Sequence, residues 1–233
     1  SYHQSGNVLL NKLFGASIST FHIGEDETAA DANIADIARD YAKKGKKPYL
    51  LTLSPDTKPL GALGYIRCAG EILDQLQNQK KSVNAIVVAS GSAATHVGLL
   101  LGLRLLGSRI LVYGICVRRD KKQQVSRVKG IVRLAENLIG LGEVVQEDDI
   151  KCHDEWLQPG YGRTNEFVYE AMTLAGNLEA MVVDPVYTAK SFAGAIGLYR
   201  QGLFNKSQNI LYLHTGGTPA IFAYEREIRE TLN

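Results

Sequence analysis

The first residues that could do chemistry form a loop of small and hydroxyl-bearing side chains at positions 90–95. An apolar, β-branched run at 85–89 precedes this loop, and an apolar helical pattern at 97–106 follows it. Such a loop joins the carboxyl end of a strand to the amino end of a helix, where free N–H groups and close backbone approach favour a phosphate group. The pattern predicts a phosphate-binding loop, although an ordinary strand–helix connection would also need small residues for packing. The loop residues are Ser90, Gly91, Ser92, Ala93, Ala94 and Thr95.

Two tyrosines lie in segments that could reach the same crevice. Tyr187 follows a strand predicted at 180–183, and Tyr161 lies between two glycines in the loop at 159–162. A phenol in such a place can orient a substrate or hold a proton, whereas a turn residue with a half-buried ring is the structural alternative for Tyr161. Asp184, directly after the same strand, is interpreted as a cap of the helix that follows it.

A Thr-Gly-Gly segment follows the last predicted strand. Thr215 and Gly216 come directly after His214, and small residues here would let the backbone lie flat against a planar ligand. His214 itself ends an apolar strand, which is typical of a histidine satisfied within the core rather than of a catalytic one. The segment is therefore a candidate for binding the face of a flat ligand.

Strands and helices alternate along the chain from about residue 57. This alternation predicts an α/β fold with a doubly wound parallel sheet, whose ligands sit at the carboxyl ends of the strands. The predicted strands are 85–89, 109–117, 180–183 and 209–214, and the predicted helices are 60–78, 97–106, 121–138, 166–174, 188–201 and 219–229.

The beginning of the chain predicts only part of a second unit. A helix ends near Gly15, and the pattern then indicates a strand at 17–23, a helix at 31–44 and a strand at 48–53. Two parallel strands cannot close a core, because a parallel sheet needs both faces covered. We therefore expect residues 1–56 to form part of a small α/β domain, and residues 57–233 to form a large cofactor-binding domain.

Composition excludes several classes of protein. The chain has 233 residues, a net charge of +2, 45% hydrophobic residues and 21% charged residues, as an ordinary globular protein does. Without a basic patch, nucleic acid is not favoured as a partner, and no apolar run has the length of a membrane span. Cys68, Cys116 and Cys152 lie far apart without metal-ligand spacing, which favours reduced thiols in a cytoplasmic protein.

Six segments in order along the chain resemble one known family. Together they are similar to the D-cysteine desulfhydrase and 1-aminocyclopropane-1-carboxylate deaminase family of fold-type-II pyridoxal 5′-phosphate enzymes. The likeness extends over nearly the whole chain. The segments are GNVLL at 6–10, LGALGY at 60–65, VVASGSA at 87–93, PGYG at 159–162, DPVYTAK at 184–190 and HTGGTPA at 214–220.

The resemblance implies pyridoxal 5′-phosphate as the cofactor, with its phosphate held by the loop at 90–95. It further implies that Thr215, together with Thr188, faces the pyridine nitrogen, and that Gly216 lies beside the ring. A neutral hydroxyl at this nitrogen makes a weaker electron sink than a carboxylate would, which favours elimination over transamination.

The resemblance also implies a reaction. Tyr161 and Tyr187 match the family's active-site tyrosines, which orient the substrate and manage protons at its reacting carbons. Thr188 stands where deaminases of the cyclopropane substrate are expected to carry Glu, which favours β-elimination from D-cysteine to pyruvate, ammonia and sulfide. The alternatives are 1-aminocyclopropane-1-carboxylate deaminase activity and a non-catalytic relative that binds the cofactor or another phosphorylated small molecule. The implied partners are a small amino-acid substrate and a second copy in a homodimer.

Three departures from the family pattern bear on this interpretation. The family's lysine that bonds to the cofactor precedes the part that this chain resembles, so we expect an amino-terminal segment to supply it. Ser-Pro-Asp stands at 54–56 where Gly-Gly-Ser is usual. Ala94 stands where Gly is usual, and its methyl could block a left-handed backbone or crowd the phosphate. Lys190 is a candidate replacement lysine, but a lysine in a first helical turn is usually solvated.

Overall fold

The computed structural model describes residues 4–20, 28–52 and 58–232. Its helices are α1 Gly6–Leu13, α2 Thr28–Lys43, α3 Lys58–Asn78, α4 Ala94–Leu105, α5 Lys121–Leu138, α6 Glu166–Glu179, α7 Thr188–Arg200 and α8 Glu225–Leu232. Its strands are β1 Ala85–Ser90, β2 Leu111–Cys116, β3 Lys151–His153 and β4 Ile210–Tyr212, and short 3-10 helices cover Glu147–Asp149 and Thr218–Tyr224. Among these described helices, none combines the length and the apolar character that crossing a membrane requires.

The strands form one parallel sheet in the order β3-β2-β1-β4. In its register, Ala85 of β1 lies opposite Leu111 of β2 on one side and Ile210 of β4 on the other. From β1 the chain moves outward through β2 and β3, and it then returns to the free side of β1 to form β4. Because the direction reverses between β1 and β4, their carboxyl ends form the topological switch point, where open α/β sheets bind ligands.

Helices cover both faces of the sheet because its strands are apolar on both sides. Successive side chains of β1 point to opposite faces: Ile86 and Val88 pack with residues of α3, α4 and α5, whereas Ala85 and Val87 pack with residues of α6 and α7. The prediction of a doubly wound parallel α/β fold is therefore confirmed.

Two glycines let α4 lie directly against α3. A Cβ added to Gly98 would lie 2.3 Å from the carbonyl oxygen of Ala62, and a Cβ added to Gly102 would lie 2.7 Å from that of Ile66. Larger residues at either position would force the helices apart. As a result α4 is buried throughout residues 96–103, and the loop that leads into it has a fixed base.

The strands predicted near the beginning of the chain differ from the structure. Residues 17–20 and 48–52, the described parts of these predicted strands, have no regular secondary structure. A parallel strand needs a hydrogen-bonding neighbour, and the described strands all lie in the sheet around β1. The helix predicted between them is confirmed as α2. The division of the chain at residue 56 stays a prediction, since residues 53–57 lie outside those described.

Two further differences concern short, weakly patterned segments. Residues 180–183 are predicted to form a strand, but they run as an irregular segment in which the carbonyl of Val182 bonds to His214. Conversely, β3 forms within a polar stretch and pairs with β2 at the edge of the sheet. An edge strand of three residues needs only one buried side chain, here Cys152, so it leaves little alternating pattern in the sequence.

Candidate active site

The switch point brings two of the predicted segments together. β1 ends at Ser90 and leads into the small-residue loop, while β4 ends at Tyr212 and leads into the Thr-Gly-Gly segment. The pairing continues one residue past β4, where the N–H of Leu213 donates to the carbonyl of Val87 at 3.0 Å. The two loops therefore leave neighbouring strands at the same edge of the sheet.

The small-residue loop presents an uncapped helix end. Ala93 adopts a left-handed backbone with a φ of 76°, and α4 begins at the next residue with no side chain capping its N–H groups. Equivalent ends of α5, α6 and α7 are closed by the side chains of Asp120, Asn165 and Asp184. The first N–H groups of α4 therefore keep the partial positive charge and the free donors that a phosphate requires.

Ala94 does not obstruct this helix end. The left-handed residue is Ala93, so the expected strain at Ala94 is absent and the expectation was wrong. A Cβ built on Gly61 of α3 would lie 3.6 Å from the methyl carbon of Ala94, which shows that this methyl faces α3. Because it packs between the helices, it leaves the helix end open to a ligand.

Side chains of α5 and of Arg119, which lies two residues before that helix, hold the carbonyl groups of the loop. The carbonyl oxygen of Gly91 accepts hydrogen bonds from Gln124 Nε2 at 3.2 Å and from Arg119 at 3.3 Å, and that of Ser92 accepts one from Arg127 Nε at 3.2 Å. In a planar trans peptide the N–H group points opposite to the C=O group. The peptide N–H groups that follow Gly91 and Ser92 therefore point away from α5.

Ser90 supports this loop from the interior. Its side chain is fully buried, and its Oγ accepts a hydrogen bond from Gln124 Nε2 at 2.8 Å and shares one with His96 Nδ1 at 3.1 Å. Gly114 makes room for the imidazole, because a Cβ there would lie 2.3 Å from Nδ1. The hydroxyl of Ser90 thus faces the core, and we assign it to holding the loop rather than to touching a cofactor.

The two predicted tyrosines meet beside this loop. A Cβ on Gly91 would lie 4.0 Å from Cε1 of Tyr187, so the ring of Tyr187 borders the predicted phosphate site. The hydroxyls of Tyr161 and Tyr187 are hydrogen-bonded to each other, and their ring centroids lie 5.8 Å apart at 68°. Both rings are partly exposed, by 39% and 36%, so a ligand in the crevice can reach the pair.

The surroundings of Tyr187 keep its phenol protonated. Burial raises its pKa above the ordinary value, and the hydrogen bond that it shares with Tyr161 and the negative charge of Asp184 raise it further. The guanidinium of Arg118, which lies over the ring of Tyr161 at 5.3 Å, acts in the opposite direction but is a weaker influence. At neutral pH Tyr187 is therefore a neutral hydrogen-bond donor and not a base.

Asp184 caps the amino end of α7, as its position predicts. Its buried carboxylate accepts hydrogen bonds from the N–H groups of Val186, Tyr187 and Thr188, at 2.8, 3.0 and 2.8 Å. The hydroxyl of Thr188 donates to the same carboxylate at 2.7 Å and accepts from the N–H of Asp184 at 2.6 Å. Because this buried hydroxyl is engaged on both sides, we assign Thr188 to the helix cap instead of the pyridine nitrogen.

The Thr-Gly-Gly segment crosses beside this cap. Gly216 and Gly217 have φ values of 98° and 88°, and a Cβ on Gly217 would lie 2.5 Å from Oδ1 of Asp184. The N–H of Gly216 donates to Nδ1 of His214, whose Nε2 bonds to the carbonyl of Val182. The histidine therefore braces the segment. Thr215 is exposed at the switch point, which keeps it a candidate for contact with a ligand.

Lys190 is buried, and the expectation of a solvated side chain was wrong. Its ammonium donates to the carbonyl oxygens of Leu157 at 2.9 Å and of Gly160 at 2.6 Å, and no part of the residue is exposed. Burial lowers its pKa to about 8. The ammonium is thus engaged below the tyrosine loop and is not free to replace the family's cofactor lysine.

The chain is similar to a known enzyme family, to curated relatives and to solved structures. Residues 2–216 match the family described as pyridoxal-phosphate dependent enzymes. D-cysteine desulfhydrases of Salmonella typhi and Serratia proteamaculans are 36% and 35% identical over 228 residues, which are 98% of this chain and 67% of each relative. A solved structure described as an ACC deaminase homologue superposes with a TM-score of 0.84 at 30% identity, covering 99% of this chain and 67% of that one.

A more distant structure shares only the fold. The solved O-ureido-L-serine synthase superposes with a TM-score of 0.56 at 15% identity, over 94% of this chain and 64% of that one. The family match covers most of the chain, and the curated relatives exceed 30% identity over about two thirds of their own length. The chain therefore belongs to the pyridoxal-phosphate dependent enzyme family.

Proposed function

We propose that this protein is a pyridoxal-phosphate lyase that converts D-cysteine to pyruvate, ammonia and sulfide. The observation that carries the proposal is the uncapped amino end of α4 at the switch point, with left-handed Ala93 at its start and Tyr187 beside it. A phosphate-bearing cofactor anchored there would present its reactive end to the tyrosine pair. The relatives named D-cysteine desulfhydrase, at 35–36% identity, support the choice of substrate.

The described residues fit pyridoxal phosphate. Its phosphate would take the N–H groups at 92–95, of which the first two are turned away from α5 by the bonds to the carbonyls of Gly91 and Ser92. Its ring would lie towards the Thr-Gly-Gly segment, where Thr215 offers a neutral hydroxyl to the pyridine nitrogen and Gly216 leaves space. When bound, the cofactor withdraws electrons from the substrate's Cα and so makes a proton there removable.

The tyrosine pair would position the substrate and stabilise the leaving sulfur. Tyr187 holds its phenolic proton at neutral pH because burial and its neighbours raise its pKa, so it acts as a hydrogen-bond donor. Tyr161 shares a hydrogen bond with it and so fixes the position of its hydroxyl. We assign to Tyr187, with Tyr161 behind it, a hydrogen bond to the sulfur that leaves Cβ.

A lysine that bonds to the cofactor completes this chemistry in the family. Lys190 is held by two carbonyl groups below the loop, and the curated relatives are longer, since the chain spans 67% of their length. We propose that turnover requires an additional lysine-bearing segment, and that residues 1–233 supply the phosphate site and the two tyrosines.

Thr188 supports the desulfhydrase branch over the cyclopropane deaminase branch. Its buried hydroxyl completes the cap with Asp184. A glutamate at this position would bury a second carboxylate beside the first, which like-charge repulsion and lost hydration both disfavour. The deaminase branch remains the second candidate because the solved neighbour at 30% identity is described as an ACC deaminase homologue.

We also propose that the protein is a homodimer in the cytoplasm. The three cysteines are free thiols, which suits a reducing cytoplasm. Leu9, Leu13 and Phe14 on and after α1 and Phe222 near the carboxyl end expose large apolar side chains. An exposed apolar surface of this kind is typical of a subunit contact and supports a homodimer.

Binding of phosphate compounds tests the cofactor site. Ser92→Asp adds a negative charge to the loop, and unit charges about 4 Å apart repel by about 1 kcal/mol even in water. We expect at least about fivefold weaker binding of inorganic phosphate and pyridoxal phosphate, measured by calorimetry. The control, Ser126→Asp, adds the same charge on an exposed part of α5. Equal affinities in both variants would refute the phosphate site.

Product release tests the reaction. Residues 1–233 and a polypeptide that also contains the family's cofactor lysine are each supplied with pyridoxal phosphate and D-cysteine, L-cysteine or 1-aminocyclopropane-1-carboxylate. We expect sulfide and pyruvate from D-cysteine with the longer polypeptide alone. Release of ammonia and an oxoacid from the cyclopropane substrate instead would favour the second candidate.

A further inference from the structure

A buried lysine links the two segments that carry the tyrosines. Lys190 lies in the first turn of α7, three residues after Tyr187, and its ammonium reaches the carbonyls of Leu157 and Gly160. Gly160 directly precedes Tyr161. One side chain therefore spans from the helix that begins beside Tyr187 to the turn that presents Tyr161.

Stability alone does not explain a charged group in this place. The side chain has no exposed surface, and burial is the cause that lowers its pKa. Removing an ammonium from water is costly, and an apolar side chain of similar size is often as good or better for stability. The ammonium of Lys190 donates two hydrogen bonds to carbonyl oxygens, which help to fix the direction of the peptide before Tyr161. An apolar side chain cannot make these bonds.

Lys190 reinforces two backbone bonds of the turn, in which the N–H of Gly160 donates to the carbonyl of Leu157 at 3.1 Å and the N–H of Arg163 donates to that of Gly160 at 3.2 Å. Asn165 holds the preceding part through the carbonyls of Trp156 and Gln158, at 3.2 and 2.5 Å. Tyr224 holds the following part through the carbonyl of Gly162 at 2.6 Å. Between these anchors, Lys190 supplies the side-chain bond to the carbonyl of Gly160.

We propose that Lys190 is a positioning residue, which holds the hydroxyl of Tyr161 against the hydroxyl of Tyr187 by fixing the carbonyl of Gly160. The role of this contact in catalysis rests on the proposed function, whereas the bond from Lys190 to Gly160 is independent of it. It makes the geometry of the phenol pair depend on a side chain that touches neither phenol.

The first test measures the turn without any reaction. Lys190→Met keeps the length of the stem and removes the donors, and Lys206→Met changes an exposed lysine as the control. Hydrogen–deuterium exchange followed by mass spectrometry should show at least about tenfold faster exchange in peptides covering 157–163 in Lys190→Met alone. Unchanged exchange there in a folded Lys190→Met protein would overturn the proposal.

A second readout separates positioning from a general loss of stability. The ¹³Cζ resonance of Tyr187 reports whether its hydroxyl still meets Tyr161. We expect Lys190→Met to shift this resonance in the same direction as Tyr161→Phe does, and we expect no further shift when the two changes are combined. Additive shifts would show that Lys190 acts independently of Tyr161, against the proposal.

If Lys190→Met does not fold, a measurement on the unaltered protein tests the hydrogen bonds of the Lys190 ammonium. With ¹⁵N-labelled lysine, a buried ammonium bonded to two carbonyls should give one slowly exchanging side-chain signal that correlates with the carbonyls of Leu157 and Gly160. The lack of such a signal would refute the proposal. Failure of the proposed function would instead appear in the phosphate and product assays, which these measurements do not use.

Discussion

Replacing Asp184 with Asn tests whether one buried carboxylate organises the tyrosine side of the site. The carboxylate accepts four hydrogen bonds of 2.7–3.0 Å, from three backbone N–H groups and the hydroxyl of Thr188. An asparagine keeps one acceptor oxygen and places an NH₂ group where the other oxygen was. Two of the four donors then face the NH₂ group instead of an oxygen, so they have no hydrogen-bond acceptor in this buried site.

The expected cost follows from these unpaired donors. A buried donor left without a partner costs about 1–3 kcal/mol, so the two unpaired donors of Asp184→Asn should lower the free energy of unfolding by about 2–6 kcal/mol. Asp120→Asn is the matched control, because Asp120 caps α5 with one bond of 2.8 Å at an exposed position. Asn caps helices about as well as Asp, so this change should cost less than about 0.5 kcal/mol.

Urea unfolding measures both variants. Trp156 is the single tryptophan of the chain and is buried, so its fluorescence reports the loss of the core. Because the bond to the N–H of Tyr187 is among those disturbed, Asp184→Asn should also weaken pyridoxal phosphate binding in the folded protein. Equal losses of stability in Asp184→Asn and Asp120→Asn would refute the reasoning.

Three further predictions concern other parts of the structure, each measured by urea unfolding. Thr188→Glu should lower the free energy of unfolding by about 3 kcal/mol or more, since it buries an unpaired carboxylate, whereas Thr188→Ser should cost about 1 kcal/mol. Gly98→Ala, whose Cβ would lie 2.3 Å from a backbone oxygen of α3, should cost about 3 kcal/mol, whereas Gly130→Ala in open space should be neutral or stabilising. Burial lowers the pKa of Lys190 to about 8 in the folded state, below the ordinary value of about 10.4 in the unfolded state. Between about pH 8 and 10 the unfolded state therefore binds more protons. As the pH rises through this range, the free energy of unfolding of the wild type should increase relative to that of Lys190→Met.

The features that the sequence predicts well are those that depend on neighbouring residues. The helix at 121–138 has the predicted bounds, because Asp120 caps it and its apolar spacing is regular. The loop after β1 lies at the predicted switch point, since strand, small residues and helix follow each other directly. The doubly wound fold follows from the same alternation.

The features that the sequence does not predict depend on distant contacts. Nothing around Lys190 indicates burial, because its two partners lie 30 and 33 residues earlier. Ser90 looks like a ligand-binding hydroxyl until Gln124 is seen to reach it from α5, 34 residues on. Thr188 also looks like a ligand-binding hydroxyl in the sequence. Only the geometry of the helix cap shows that its hydroxyl is already bonded to Asp184. Hydroxyl and ammonium groups reveal their roles through partners that spacing alone does not show.

The close packing of α3 on α4 separates two tasks within this protein. The phosphate loop grows from a helix that is buried throughout 96–103, so moving the loop means moving part of the core. Tyr161 instead stands on a partly exposed turn that is held by side-chain bonds from Asn165, Lys190 and Tyr224. Substitutions in the turn that carries Tyr161 can therefore alter which amino acid is accepted while the hold on the cofactor stays unchanged. A rigid cofactor site beside a separately anchored turn lets a family acquire new substrates without changes in its core.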